Sequence, residues 1–276
     1  LSLGACGHPA SLRGLIVTLL FLGASAGARA QDPATRDSLR TFRAEIAART
    51  DTTPLRRLER QLGRDAQPPA SEALRRLRRG IVRLRLGELG DGWSFGRAGG
   101  DFHRAAELEP TWSEAWMLRG VAQRAEGDWQ AANPLNLGKR VGLGSMGDAV
   151  ESFARAIAVD STNAAAGFAL YQAGVLLRDT AAFRSLVLPS LRRLAAAGAA
   201  DTGVLLALAR AERFQGDSTA AVVEARRYVE LGGTRGLGLR ELAWSQFSAG
   251  IGTGDSAYYA GAQEDDSVSV AAYRED

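Results

Sequence analysis

A small set of residues returns in the same order along this chain, and it constrains the fold more than any other feature. Segment 113–129, SEAWMLRGVAQRAEGDW, spaces Trp116, Gly120 and the triplet Gly127-Asp128-Trp129 as W-x3-G-x6-G-D-aromatic. Segment 147–163, GDAVESFARAIAVDSTN, follows with Ala149, Phe153 and Ala156 as A-x3-F-x2-A. Upstream, RAGGDFHRAAELEP repeats the second half with Ala98, Phe102, Ala105 and a closing Pro110. Downstream, 205–233 repeats it with Ala209, Gly216-Asp217, Ala221, Ala225 and Tyr228. Small residues let two helices approach, and large ones fill the space between them. Gly-Asp ends one helix and caps the next, and proline stops the second helix before the following unit. No segment shows the sustained apolar–polar alternation of a strand.

The flanking sequence has the same helical period. SLRTFRAEIAAR (38–49) puts Leu39, Phe42 and Ile46 on one face. PLRRLERQLG opens with Pro54, aligns Leu55, Leu58 and Leu62, and stops at Gly63. SEALRRLRRGIVRLRLGELG aligns Leu74, Leu77, Ile81 and Leu84, with Arg75, Arg76, Arg78, Arg79, Arg83 and Arg85 around them. AQPPA (66–70) separates the first two helices from the rest. The arginines have no aromatic side chains between them, so phosphate binding is not indicated. They are expected to form a solvated face, some pairing with acids, with an acidic partner or anionic lipid as the alternative.

Taken as a set, the recurring motif resembles the tetratricopeptide repeat (TPR), a 34-residue helix-turn-helix unit. Arg119, Gln123 and Ser161 depart from the usual family residues, and the unit at 164–198 keeps the two-helix rhythm but little of the motif, with Pro189 expected to kink its second helix. The resemblance implies an all-α, right-handed solenoid of about four repeats over 74–250. N-terminal helices at 31–66 would precede it and a tail at 251–276 would follow. It also implies a concave face lined by the first helix of each repeat: Glu114, Met117, Val121 and Arg124, then Phe168, Gln172 and Val175, then Leu206, Arg210 and Arg213. Arginines among apolar side chains suit a peptide carrying carboxylates. The tail is similar to the junction ahead of a C-terminal GWxTD domain in some exported bacterial TPR proteins.

One hairpin departs in length. From Trp129 to Ala149 the chain spends seventeen residues more than a repeat needs, about Gln130 to Met146. RVGLGSMGDAV, at the end of this insertion, spells G-x-G-x-x-G with Gly142, Gly144 and Gly147. A dinucleotide turn needs a buried strand before the first glycine, and NPLNLGKR is not one. The expectation is a loop, with Gly147 just before a helix starting near Asp148. Lys139 and Arg140 are its candidate contacts for a ligand or partner.

Composition narrows the function. Arg13, the apolar run Leu15–Leu22 and Ala28-Arg29-Ala30 read as a secretory signal over 1–30. The run is too short for a spanning helix and lies after Cys6, which argues against lipidation. Export is expected, to the periplasm or medium, with peripheral association with the envelope left open. Loss of Arg13 and Arg29 lowers the net charge from +3 to +1. The remainder is segregated: 31–90 holds 14 basic and 8 acidic residues, 91–276 holds 18 and 23. It has no cysteine, and His103 is its one histidine. Disulfides, thiolate chemistry and multi-histidine metal sites are thereby excluded. His103 reads as a surface or core histidine of a repeat helix. The expectation is a scaffold that binds a protein or peptide, with no catalytic residue, cofactor, metal or nucleic acid. The alternatives are the recruiting half of an enzyme whose catalytic domain lies beyond 276, or a small-ligand or envelope-polymer binder using 130–146.

Overall fold

The computed structural model describes residues 32–64, 69–132, 143–198 and 201–272. Among them every regular element is helical. Two helices come first, α1 (Pro33–Ala47) and α2 (Thr52–Arg64). Five antiparallel hairpins follow: α3 (Pro69–Glu88) with α4 (Trp93–Leu108), α5 (Ser113–Ala132) with α6 (Leu143–Val159), α7 (Ala164–Leu177) with α8, α9 (Thr202–Phe214) with α10 (Ser218–Glu230), and α11 (Arg235–Thr253) with α12 (Ser256–Ala272). Helix α8 is composite: Thr180–Ala182, a π turn Phe183–Val187, then Leu188–Ala196. The π turn precedes Pro189, whose missing N–H and ring require the ladder to shift there. Each hairpin packs on the next, and α1 and α2 pack on α3. This is the all-α, TPR-like hairpin solenoid implied by the motif. Residues 251–272 belong to the last hairpin, in which α12 folds back along α11.

The motif residues carry the packing. A Cβ on Gly120 would lie 2.6 Å from the Phe153 ring, and one on Gly80 would lie 2.5 Å from the Phe102 ring. Both phenylalanines are fully buried, seated against the bare backbone of the partner helix. Gly216 adopts φ +87°, and Asp217 then caps α10 by accepting from the Ala220 N–H at 3.1 Å. Gly90 (φ +109°) makes the α3–α4 turn, and Gly92 opens α4 with no side-chain cap. At the α6–α7 turn Asn163 caps α7, accepting from the Ala166 N–H at 3.1 Å and donating to Ser113 Oγ at 2.7 Å.

Three local expectations are overturned. Gly127-Asp128 is not a turn, because α5 runs through it to Ala132. Trp129 packs over Gly92 and meets Trp93 edge-on at 5.3 Å, and the Gln130 amide donates to Glu126 at 3.1 Å, so tertiary contact holds this last turn helical. Gly147 does not start a helix: α6 begins at Leu143, and Gly144 and Gly147 lie within it. The ends of the inserted segment, 130–132 and 143–146, are therefore helix instead of loop.

The arginine face is the third correction. Asp101, with 2% of its side chain exposed, is bound by Arg76, Arg79 and Arg83. Arg83 also donates to Glu59 at 2.8 Å, Arg75 and Arg76 hold Glu72, and Arg56 and Arg97 converge on Asp91. Arg75 and Arg79 are only 12% exposed. Arg78 lies over Phe42 and donates to Ser38, while Arg85 donates to the Arg49 carbonyl at 3.0 Å. These side chains tie α1, α2 and α4 to α3 instead of facing solvent. Burial opposes the charge on Glu59 and Asp91. Hydrogen bonds from Arg83 and Arg56 to Glu59, and from Ser94 and Arg56 to Asp91, outweigh it and hold both below the ordinary carboxylate range. The Arg75 hydrogen bond does the same for Glu72.

Candidate peptide-binding groove

The first helices of successive hairpins, α7, α9 and α11, pack side by side. Glu241 on α11 is buried, with 6% of its side chain exposed, and it accepts from Arg210 Nε at 3.1 Å and Arg213 Nε at 3.0 Å, both on α9. One carboxylate thus fixes two guanidinium groups, each left about one-third exposed. Arg240 stands beside them, exposed and without an ion-pair partner among the described residues. Tyr171 from α7 and the half-exposed Trp244 from α11 complete a cleft of about 410 Å³. Burial pushes the Tyr171 phenol up from its usual value, so its hydroxyl remains protonated and able to donate. Three arginines face one carboxylate, so the cleft stays positive, and its aromatic walls offer apolar contact.

The ten concave-face residues named from the motif divide. Met117 and Leu206 are core residues, 5% and 9% exposed. Val121 packs against the same core. Glu114 is bound by Arg43 of α1 at 2.5 Å, so α1 lies across the start of α5. Leu39, Arg43, Glu114 and Met117 share the wall of a second cleft of about 370 Å³, where Arg36 also reaches Asp160 at 4.0 Å. Arg124 donates to Gln172 at 2.5 Å, bridging α5 to α7. Phe168 and Val175 are 44% and 42% exposed. Arg210 and Arg213 belong to the groove. Sequence reasoning missed Tyr171, Arg240, Glu241 and Trp244. Continuing the first-helix positions of the motif by one repeat into 235–253 would have found Arg240 and Trp244, but not Glu241.

Lys139, Arg140 and the signal at 1–30 lie outside the described residues. His103 is half-exposed, with Nε2 3.4 Å from Glu107 one turn on. Among the described residues no helix is long and apolar enough to cross a membrane. No family model and no curated protein sequence matches the chain. Among solved structures it is similar to the crystal structure of MamA protein, at 15% identity and a TM-score of 0.43, over 68% of this chain and 92% of that one.

Proposed function

We propose that this protein is a non-catalytic scaffold of the cell envelope, and that the groove between α7, α9 and α11 binds a protein segment presenting a carboxylate beside an aromatic or large apolar side chain. The observation that carries this reading is the placement of Arg240, which has no ion-pair partner among the described residues, next to Trp244 and the pair Arg210 and Arg213. Glu241 pre-orders that pair, so little side-chain freedom is lost when a ligand carboxylate arrives. The Tyr171 hydroxyl adds a neutral donor at the wall. Residues 1–30, as a cleaved leader, would deliver the scaffold to the envelope.

The test is selection from a displayed peptide library on the mature protein, followed by anisotropy titration of the enriched peptides. Enrichment of acidic–aromatic segments is expected, with Arg240→Glu weakening binding at least about tenfold. Enrichment without acidic residues, or affinity indifferent to Arg240→Glu, would remove the groove from the reading.

A further inference from the structure

At each earlier junction of the solenoid the outward face of a hairpin is covered by the first helix of the next. Over α9 and α10 that cover is α11, which buries Leu239 and Leu242 and seats Gly238 on Tyr228. On α11, among the described residues, Trp244, Phe247 and Ile251 are 50%, 44% and 64% exposed. They stand at i, i+3 and i+7, one stripe of the helix. Beside them is a cleft of about 400 Å³ that includes Ala243 and Ala262, with Asp266 at its edge. Helix α12 contributes Glu264, Asp265 and Asp266 and contains no basic residue. An apolar stripe with an acidic border suits a partner that brings positive charge on flat, stackable groups.

The opposite end of the molecule carries such groups. On α2, Leu55 and Glu59 are buried against α3, and Arg57, Arg60 and Arg64 are exposed on the other side. Those arginines also stand at i, i+3 and i+7, and none has an ion-pair partner among the described residues. Guanidinium planes stack on aromatic rings while donating to carboxylates at their edges. We propose that α2 of one copy docks on the α11–α12 face of a second, so that the chain associates with itself head to tail. Much of the basic excess before residue 91 is paired inside the chain with Asp91, Asp101, Glu114 and Asp160, which leaves Arg57, Arg60 and Arg64 as the remaining positive stripe among the described residues of α2. Two different surfaces meet in such a contact, so the assembly grows as an open stack unless the rotation closes it.

Trp244 borders both this face and the peptide groove, so the test leaves it intact. A head variant carries Arg57→Glu, Arg60→Glu and Arg64→Glu, and a tail variant carries Phe247→Ser and Ile251→Ser. Circular dichroism first establishes that both keep the helical content of the parent. Sedimentation velocity of the mature protein at low salt is expected to show concentration-dependent growth, weakened at least about tenfold near 0.5 M salt. Each variant alone is expected to remain monomeric. Their mixture is expected to form a one-to-one complex that grows no further, because only one intact pair of surfaces remains. A parent that stays monomeric at about 100 μM in low salt overturns the proposal. So does a mixture that fails to pair, or growth that persists in the head variant, which would mean pairing between two α11–α12 faces. None of these outcomes depends on peptide binding, and loss of peptide binding would leave them unchanged.

Discussion

Asp101 has 2% of its side chain exposed and is surrounded by Arg76, Arg79 and Arg83. Removing one member of a buried ion cluster leaves the others charged without compensation, which costs more than the cluster contributes as a whole. Asp101→Asn is therefore expected to lower unfolding stability by about 3 kcal/mol in urea titration at neutral pH. A loss under about 1 kcal/mol would mean that water reaches the arginines. The partners of this aspartate were not legible in the sequence. The arginine helix showed its apolar stripe plainly, and Leu77 and Ile81 are buried as that stripe requires. What the period of one helix cannot show is the acid that another helix delivers to its polar side. Asp101 lies 22 residues from Arg79, and Glu59 lies 24 from Arg83.

At the scale of the helices, two glycines make opposite predictions. Gly120 faces the Phe153 ring at a distance no real Cβ occupies, and the ring is fully buried and cannot retreat. Gly120→Ala gains roughly 1 kcal/mol of helix propensity but incurs about 1–3 kcal/mol of overpacking, so a net loss is expected. Gly147 has nothing within 4 Å of its would-be Cβ and lies inside α6. Gly147→Ala is expected to stabilise by about 0.5–1 kcal/mol, measured by thermal or urea unfolding. Were Gly147 the cap of a later-starting helix, alanine would instead destabilise. The hairpins themselves were legible because their glycines, aromatics and proline recur at fixed offsets. The ends of α5 and α6 were not. Gly127-Asp128 has the spelling of the Gly216-Asp217 turn, yet Trp129 finds its place on Gly92 and Trp93 one hairpin back, and the helix continues to reach it. The groove was half legible: Arg210 and Arg213 were named, Arg240 and Trp244 stand one repeat further on at first-helix positions of the motif, and Glu241, which orders the pair, lies off that stripe.

Over the whole molecule the carboxylates fall into two populations. Glu59, Glu72 and Asp91, on or beside α2 and α3, are held below their ordinary values by arginine pairing, aided at Asp91 by Ser94. Their stabilisation is present above the unfolded values and is lost as pH falls through the lower folded ones. Glu224 and Asp265, on α10 and α12, are pushed up by burial. Folding disfavours their charged forms, so their penalty is absent below the unfolded values and grows as pH rises through the raised folded ones. Acidification through the ordinary carboxylate range should therefore loosen the N-terminal end first, while the C-terminal hairpins gain slightly as pH falls from the raised folded values of Glu224 and Asp265 toward their unfolded ones. Hydrogen-exchange mass spectrometry at about pH 6 and pH 3.5, corrected for intrinsic rates, reads this directly. Protection that persists in α2–α4 at the lower pH while α10–α12 opens would refute it. Neighbour-only contacts in a solenoid permit such partial opening, because each hairpin is held by those beside it.

The meeting of Trp93 and Trp129 has one more consequence. The two indoles are 5.3 Å apart at 62°, and they join α4 to the end of α5. Rings that close couple their electronic transitions, so the pair should leave an exciton signature in circular dichroism. That signature disappears when either ring is replaced or when α5 lifts from α4. The chain thus carries an optical gauge of the joint between its first two hairpins, placed at the foot of the segment that departs most from the repeat.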